Sequence, residues 1–199
     1  MIQLDPKLAA QLDRLERFAA DHDARTADRA ERMLNLERPT AELLYLLIVS
    51  AKRRRVLEIG TSNAYSTIWL ASAMKAIGGE PVVSIERDAA KLDMARANLA
   101  EAALQDAVRL LEDDATAACR AQPGPFDCVF FDADRISAPD QLAVLLPKLA
   151  PDALLCADNA LSHPQEIAGY LAAVEATGEF DSTVVPVGKG LHIAWRRPH

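Results

Sequence analysis

The chain has 199 residues, with 22 Lys and Arg against 29 Asp and Glu, a formal charge of −7 and an apolar fraction of 50%. A chain of this length suits one domain that buries roughly 70% of its unfolded surface, so folding needs neither a disulfide framework nor a structural metal. The composition excludes disorder as the default, and the acidic excess argues against a general binder of nucleic acid or anionic membrane.

The charge is uneven. Residues 1–55 hold 11 basic and 9 acidic side chains, so the excess of carboxylates lies in residues 56–199. Cys119, Cys128 and Cys156 form no C-x-x-C pair and read as small buried hydrophobes in a reducing compartment. The N-terminus, MIQLDPKLAAQLDRLERF, is charged every few residues, which fits neither a signal peptide nor a membrane span and predicts a soluble, cytoplasmic protein.

Asp5 and Pro6 form a helix-start pair, after which Leu8, Leu12, Leu15 and Ala19 recur at helical spacing. The polar stretch from Asp21 to Arg32 predicts a loop running into a second helix. Pro39 and Thr40 open a third, AELLYLLIVSA, apolar nearly all round and therefore expected to be buried. KRRR at 52–55 closes it, a favourable place for cations at a helix C-terminus and more simply a solvated helix end than a nucleic-acid patch.

From Arg55 onward, short β-branched or apolar runs alternate with helix-length segments, the βαβ pattern. The predicted strands are RVLEIG (55–60), PVVSIE (81–86), AVRLLED (107–113), DCVFFDA (127–133), ALLCAD (153–158), DSTVVPV (181–187) and LHIAWRR (191–197). The first five are expected to be parallel. GKG between the last two predicts a hairpin and an antiparallel final strand. The whole chain then reads as one α/β domain: N-terminal helices over 1–54 and a Rossmann-like, seven-stranded, mostly parallel sheet over 55–199 with helices on both faces. Ligands in such open sheets bind at the carboxyl ends of the strands, where strand order reverses.

The residues at those ends carry the chemistry. Gly60 closes the first strand and permits a close backbone approach to a ligand, and the helix start beyond it attracts a carboxylate or phosphate. The G-x-G-x-x-G dinucleotide fingerprint is absent, since Ser62 and Tyr65 hold the later positions, so the loop suits a ligand without a pyrophosphate. Glu86 ends the second strand, 26 residues after Gly60, where an acid can accept both hydroxyls of a ribose. The third, fourth and fifth strands end in Asp113-Asp114-Ala115, Asp132-Ala133-Asp134-Arg135 and Asp158-Asn159. Asp132, Asp158 and Asn159 offer two carboxylates and an amide oxygen, hard donors suited to Mg²⁺ or Ca²⁺; the simpler readings are a helix cap at 132 and an Asx turn at 158–159.

VLEIGTSNAYSTIWLA, VVSIE, FFDADR and CADN, in this order and spacing, resemble the S-adenosylmethionine-dependent O-methyltransferases of the catechol and caffeoyl-coenzyme A type, over residues 34–197. The resemblance implies a class I methyltransferase fold with Glu58, Gly60, Ser62 and Ser66 at the methionine end of the cofactor. It places Glu86 on the ribose, Asp114 and Ala115 beside the adenine, and Asp132, Asp158 and Asn159 on a divalent metal, usually Mg²⁺, with Asp132 next to the cofactor. It also implies a small phenolic acceptor and a homodimer, the N-terminal helices covering the cofactor or forming the dimer interface.

Two departures stand out. Ala64 replaces a usual Gly, at little cost if it keeps a helix-compatible φ. Arg135 stands where the family's D-A-D-K motif has a Lys able to act as general base; arginine stays protonated, so Arg135 can act only electrostatically, as a stabiliser of the substrate oxyanion. The expected chemistry is a metal-assisted in-line methyl transfer to a catechol-like hydroxyl.

Three other readings compete with it. An NAD(P)-dependent oxidoreductase is disfavoured by the missing second Gly. A nucleic-acid amino methyltransferase is disfavoured by Asp-Ala-Asp-Arg after the fourth strand. A cofactor-binding protein without catalysis is kept open by Arg135. His163, Trp69 and Trp195 read as structural.

Overall fold

The computed structural model describes residues 2–198. A seven-stranded sheet runs in the order β3-β2-β1-β4-β5-β7-β6, with β1 Val56–Ile59, β2 Val82–Glu86, β3 Val108–Glu112, β4 Phe126–Phe131, β5 Leu149–Ala157, β6 Phe180–Val185 and β7 Leu191–Arg196. The first five strands pair in parallel, and β7 is antiparallel to both its neighbours, as expected. Every residue of β1 is buried, because helices cover both faces of this central strand. The edge strand β6 exposes Asp181, Ser182 and Thr183 instead.

Alternation along the strands sorts the core into two layers. Val56, Val82, Cys128 and Phe130 pack with α1 (Pro6–Arg25), α2 (Arg38–Ser50), α3 (Tyr65–Ile77) and α4 (Ala89–Glu101). Leu57, Ile59, Ile85, Val129 and Phe131 pack on the other face with α5 (Ala115–Ala121), α6 (Ala138–Leu145) and α7 (Pro164–Ala176). All three cysteines are buried and free. No helix among the described residues is long and apolar enough to cross a membrane.

The sheet reverses its winding between β1 and β4, and the register there aligns the site. Ile59 pairs with Ile85 on one side and Phe131 on the other, and Phe131 pairs with Ala157. The next residue on each strand, Gly60, Glu86, Asp132 and Asp158, therefore stands on one rim.

The N-terminal region differs from expectation. α1 runs on to Arg25, and the predicted second helix is a single 3-10 turn over Arg29–Glu31. The Asp23 carboxylate accepts the backbone N–H groups of Met33 and Leu34 at 2.7 and 2.9 Å, which withdraws them from any helix and holds residues 26–37 as a strap. β5 begins at Leu149, four residues before the predicted start, because Leu149 pairs with Phe126 across a register shift that accommodates Pro151. The β6–β7 connection is five residues, Pro186 to Gly190, rather than GKG alone.

Candidate active site

An open cleft of about 820 Å³ lies along this rim, roofed by the strap. The strap is tied down at two points: Ser62 Oγ donates to the Met33 carbonyl at 2.9 Å, and Lys91 Nζ donates to the carbonyls of Ala30 and Arg32 at 2.8 and 2.9 Å. Met33, Leu34, Asn35 and Leu36 line the cleft, residues that carry no motif and that only the closure of the strap brings there.

Gly60, Ser62 and Ser66 form one wall. Gly60 has φ 108°, and a β-carbon on it would stand 2.5 Å from the Asp132 carbonyl oxygen, so the residue type follows from the junction of β1 and β4. Ala64 adopts φ 68° and ψ 21°, a left-handed conformation, and not the helix-compatible φ expected of it. It caps α3 where the chain must turn, and a β-carbon is strained there.

Glu58 lies beneath this wall, fully buried and outside the cleft. Ser66 Oγ donates to its Oε1, and Thr67 Oγ1 and Ser84 Oγ donate to its Oε2, each at 2.6 Å. Burial pushes its carboxyl up to about 7, with the three hydroxyls holding it back. Glu58 thus braces Ser66 and the start of α3 from below. Glu86 lines the cleft and accepts the N–H groups of Ser62, Arg87 and Asp88 at 2.9, 2.9 and 3.0 Å, which joins the ends of β1 and β2. Asp114 caps α5 through Ala117 N–H at 2.9 Å, and it lines the far end beside Ala115.

The opposite end is acidic. Asp158 is 3% exposed; its Oδ2 accepts from Asn159 Nδ2 at 2.7 Å, while its Oδ1 is buried with no hydrogen-bond partner. Burial pushes its carboxyl up to about 6, with the charge of Glu37 adding to the rise. The Asp132 carboxyl is raised as well, by burial and by the charges of Asp158 and Glu58. Among the described residues no three His, Cys, Asp or Glu side chains converge on a metal-sized site. A cation would have two carboxylates and the Asn159 amide, a hard-oxygen set that leaves room for water or substrate oxygens. The unpartnered Asp158 Oδ1 fits such an occupant, since a buried acceptor left bare is costly.

Arg135 reaches the cleft, but its guanidinium forks onto Glu166, with Nε and Nη2 at 3.0 and 2.6 Å from Oε2. His163 is half-buried and hydrogen-bonds Ser162 Oγ at 2.8 Å.

A family model described as a methyltransferase domain matches residues 57–160, just over half the chain and the whole run from β1 to the Asp158-Asn159 pair. The chain belongs to the methyltransferase-domain family. It is 36% identical over 132 residues, 66% of its length, to a catechol O-methyltransferase of Mycobacterium tuberculosis, and 30% identical over 124 residues to one of Niastella koreensis. The matched segments cover 54% and 55% of those proteins, so the chain spans little more than half the length of the curated relatives it matches. Two solved structures are similar over nearly the whole fold. The Bacillus cereus O-methyltransferase in complex with SAH has TM-score 0.81, 25% identity and coverage of 99% of this chain and 93% of that one. The O-methyltransferase TomG of Streptomyces achromogenes in complex with SAM has TM-score 0.77, 27% identity and coverage of 99% and 92%.

In this methyltransferase domain, Gly60, Ser62, Ser66, Glu86, Asp114, Ala115, Asp132 and Asn159 line one cleft, with Asp158 directly behind Asn159. Glu58 and Asp158 are the motif residues that stand back from it. Sequence reasoning missed the strap residues Met33 to Leu36, the tie through Lys91, and Lys189, which lines the acidic end. Only the Gly-Lys-Gly spacing hinted at Lys189.

Proposed function

We propose that the chain is an S-adenosylmethionine-dependent O-methyltransferase that acts, with a divalent cation, on one hydroxyl of a catechol-like acceptor. The observation that carries this reading is the unpartnered Asp158 Oδ1, buried directly behind Asn159, which with Asp132 lines the same cleft as the Gly60 loop.

Gly60 and Ser62 would receive the methionine end of the cofactor, where the missing β-carbon leaves the backbone open. Glu58 would act indirectly, by fixing Ser66 and Thr67. The free lone pairs of Glu86 would take the ribose hydroxyls, and Asp114 and Ala115 would flank the adenine. Asp132, Asp158 and Asn159 would hold the cation. When bound, S-adenosylmethionine supplies an electrophilic methyl and the divalent ion lowers the pKa of a coordinated hydroxyl. The strap would roof the cofactor side of the cleft and help orient the acceptor, and orientation lowers the barrier of such a displacement substantially. Titration of the protein with S-adenosylmethionine by calorimetry, followed by a turnover assay on catechol with and without chelator, tests the reading. Binding with chelator-sensitive turnover supports it, and full turnover in excess chelator removes the cation from it.

The Arg135–Glu166 ion pair favours one alternative, a cofactor-binding protein without transferase activity, because arginine cannot take the acceptor's proton. Cofactor binding without turnover of any catechol would establish that alternative.

A further inference from the structure

Gly188, Lys189 and Gly190 form a clip between the strap and the acidic end of the cleft. Gly188 has φ 55°, and a β-carbon on it would stand 2.4 Å from Thr40 Oγ1 and 2.8 Å from Glu37 Oε2. Gly190 has φ 91°, and a β-carbon there would stand 2.5 Å from the Leu161 side chain. Gly190 therefore has to be glycine and Gly188 is favoured as one, and between them they set the lysine backbone against the loop that follows Asn159. The Lys189 carbonyl accepts from the N–H groups of Leu161 and Ser162 at 2.9 and 3.1 Å, and the Gly190 carbonyl accepts from Ala160 at 2.9 Å.

The side chain has a tie of its own. Lys189 Nζ lies 2.6 Å from Glu37 Oε1, at the N-terminus of α2. It remains 38% exposed, and it lines the cleft together with Asp132, Asn159 and Arg135. Its positive charge draws the carboxyls of Asp132 and Asp158 down against their burial and opposes protonation of His163. Arg135, the cation at the family's lysine position, is paired as well, with Nε and Nη2 both on Glu166, whereas Lys189 faces Glu37 through a single contact.

Resting on the transferase reading above, we propose that Lys189 is a catalytic residue that binds the acceptor's attacking oxygen as its ammonium, with Glu37 and the two glycines positioning it. The acceptor hydroxyl gives its proton to solvent water before the displacement. The phenolate oxygen then forms its bond to the methyl carbon, the carbon–sulfur bond breaks, and its electron pair passes to sulfur. Lys189 stays protonated throughout and donates an N–H to the phenolate oxygen, a point charge placed where negative charge must be stabilised.

The test compares two acceptors at one pH: catechol, a weakly acidic phenol, and 4-nitrocatechol, already largely ionised. K189M is expected to lower kcat on catechol by roughly 30-fold and on 4-nitrocatechol by no more than about threefold, with affinity for S-adenosylhomocysteine unchanged. K189R is expected to recover most of the catechol rate, and E37Q to show the same acceptor dependence more weakly, which keeps the question open to test if K189M folds poorly. Equal losses on both acceptors, or no loss on either, overturn the role of Lys189 while leaving the transferase reading intact. A wild-type protein that binds the cofactor and methylates neither acceptor overturns that reading, and the role of Lys189 with it.

Discussion

A β-carbon on Gly60 would stand 2.5 Å from the carbonyl oxygen of Asp132, so the Gly60 loop and the acidic end of the cleft are built against each other. Asp132 N–H also donates to the carbonyl of Ile59 at 2.9 Å, which leaves neither side room to retreat. Gly60→Ala should therefore damage both at once. It is expected to cost more than about 3 kcal/mol of stability, read by chemical denaturation, and to abolish cofactor binding in any folded fraction.

Ala64→Gly should do the reverse. The left-handed φ of 68° costs an L-residue about 1–2 kcal/mol, and the greater freedom of glycine in the unfolded chain offsets part of the gain. A net stabilisation of about 0.5–1 kcal/mol follows, a rise of about 1–4 °C in Tm by calorimetry.

Glu58 gives the fold a pH dependence. Its folded carboxyl sits near 7 against an ordinary 4.5, so the folded state holds a proton that the unfolded chain releases. The stability tied to that proton is fully present below about pH 4.5 and is lost as pH rises through 7, on the order of 3 kcal/mol. The metal-free protein is therefore expected to melt lower at pH 8.5 than at pH 5.5. Glu58→Gln should flatten that decline, leaving a remainder from Asp132 and Asp158, whose carboxyls are raised in the same direction.

Asp158→Asn should separate metal binding from folding. It removes the charge that would make the unpartnered Oδ1 a strong metal donor while keeping the shape of the side chain. Calorimetric titration with Mn²⁺ is expected to show affinity reduced by more than about tenfold, and the melting temperature of the metal-free protein is expected to hold or rise because a buried charge has gone.

The sheet was legible because its evidence is local: β-branched runs, helix-length spacers and a turn before the last strand determine a topology with few alternatives. The rim residues Gly60, Glu86, Asp132 and Asp158 were legible for the same reason, since each follows a strand and the register aligns them. What escaped depends on contacts across the chain. The strap is no helix because Asp23, ten residues upstream of Met33, takes its N–H groups. The φ of Ala64 is imposed by the turn into α3, and the usual Gly at that position was the one sign of it. The pairing of Arg135 with Glu166 spans 31 residues, and Lys189 reaches the acidic end only because β7 folds back beside β5.

The most direct measurement is mass-spectrometric detection of product when the purified protein is incubated with S-adenosylmethionine, Mg²⁺ and catechol. If the transferase reading holds, guaiacol and S-adenosylhomocysteine form in equal amounts, with the yield falling sharply when the ion is chelated. Tight cofactor binding with neither product formed, across catechol and its nitro derivative, would contradict it.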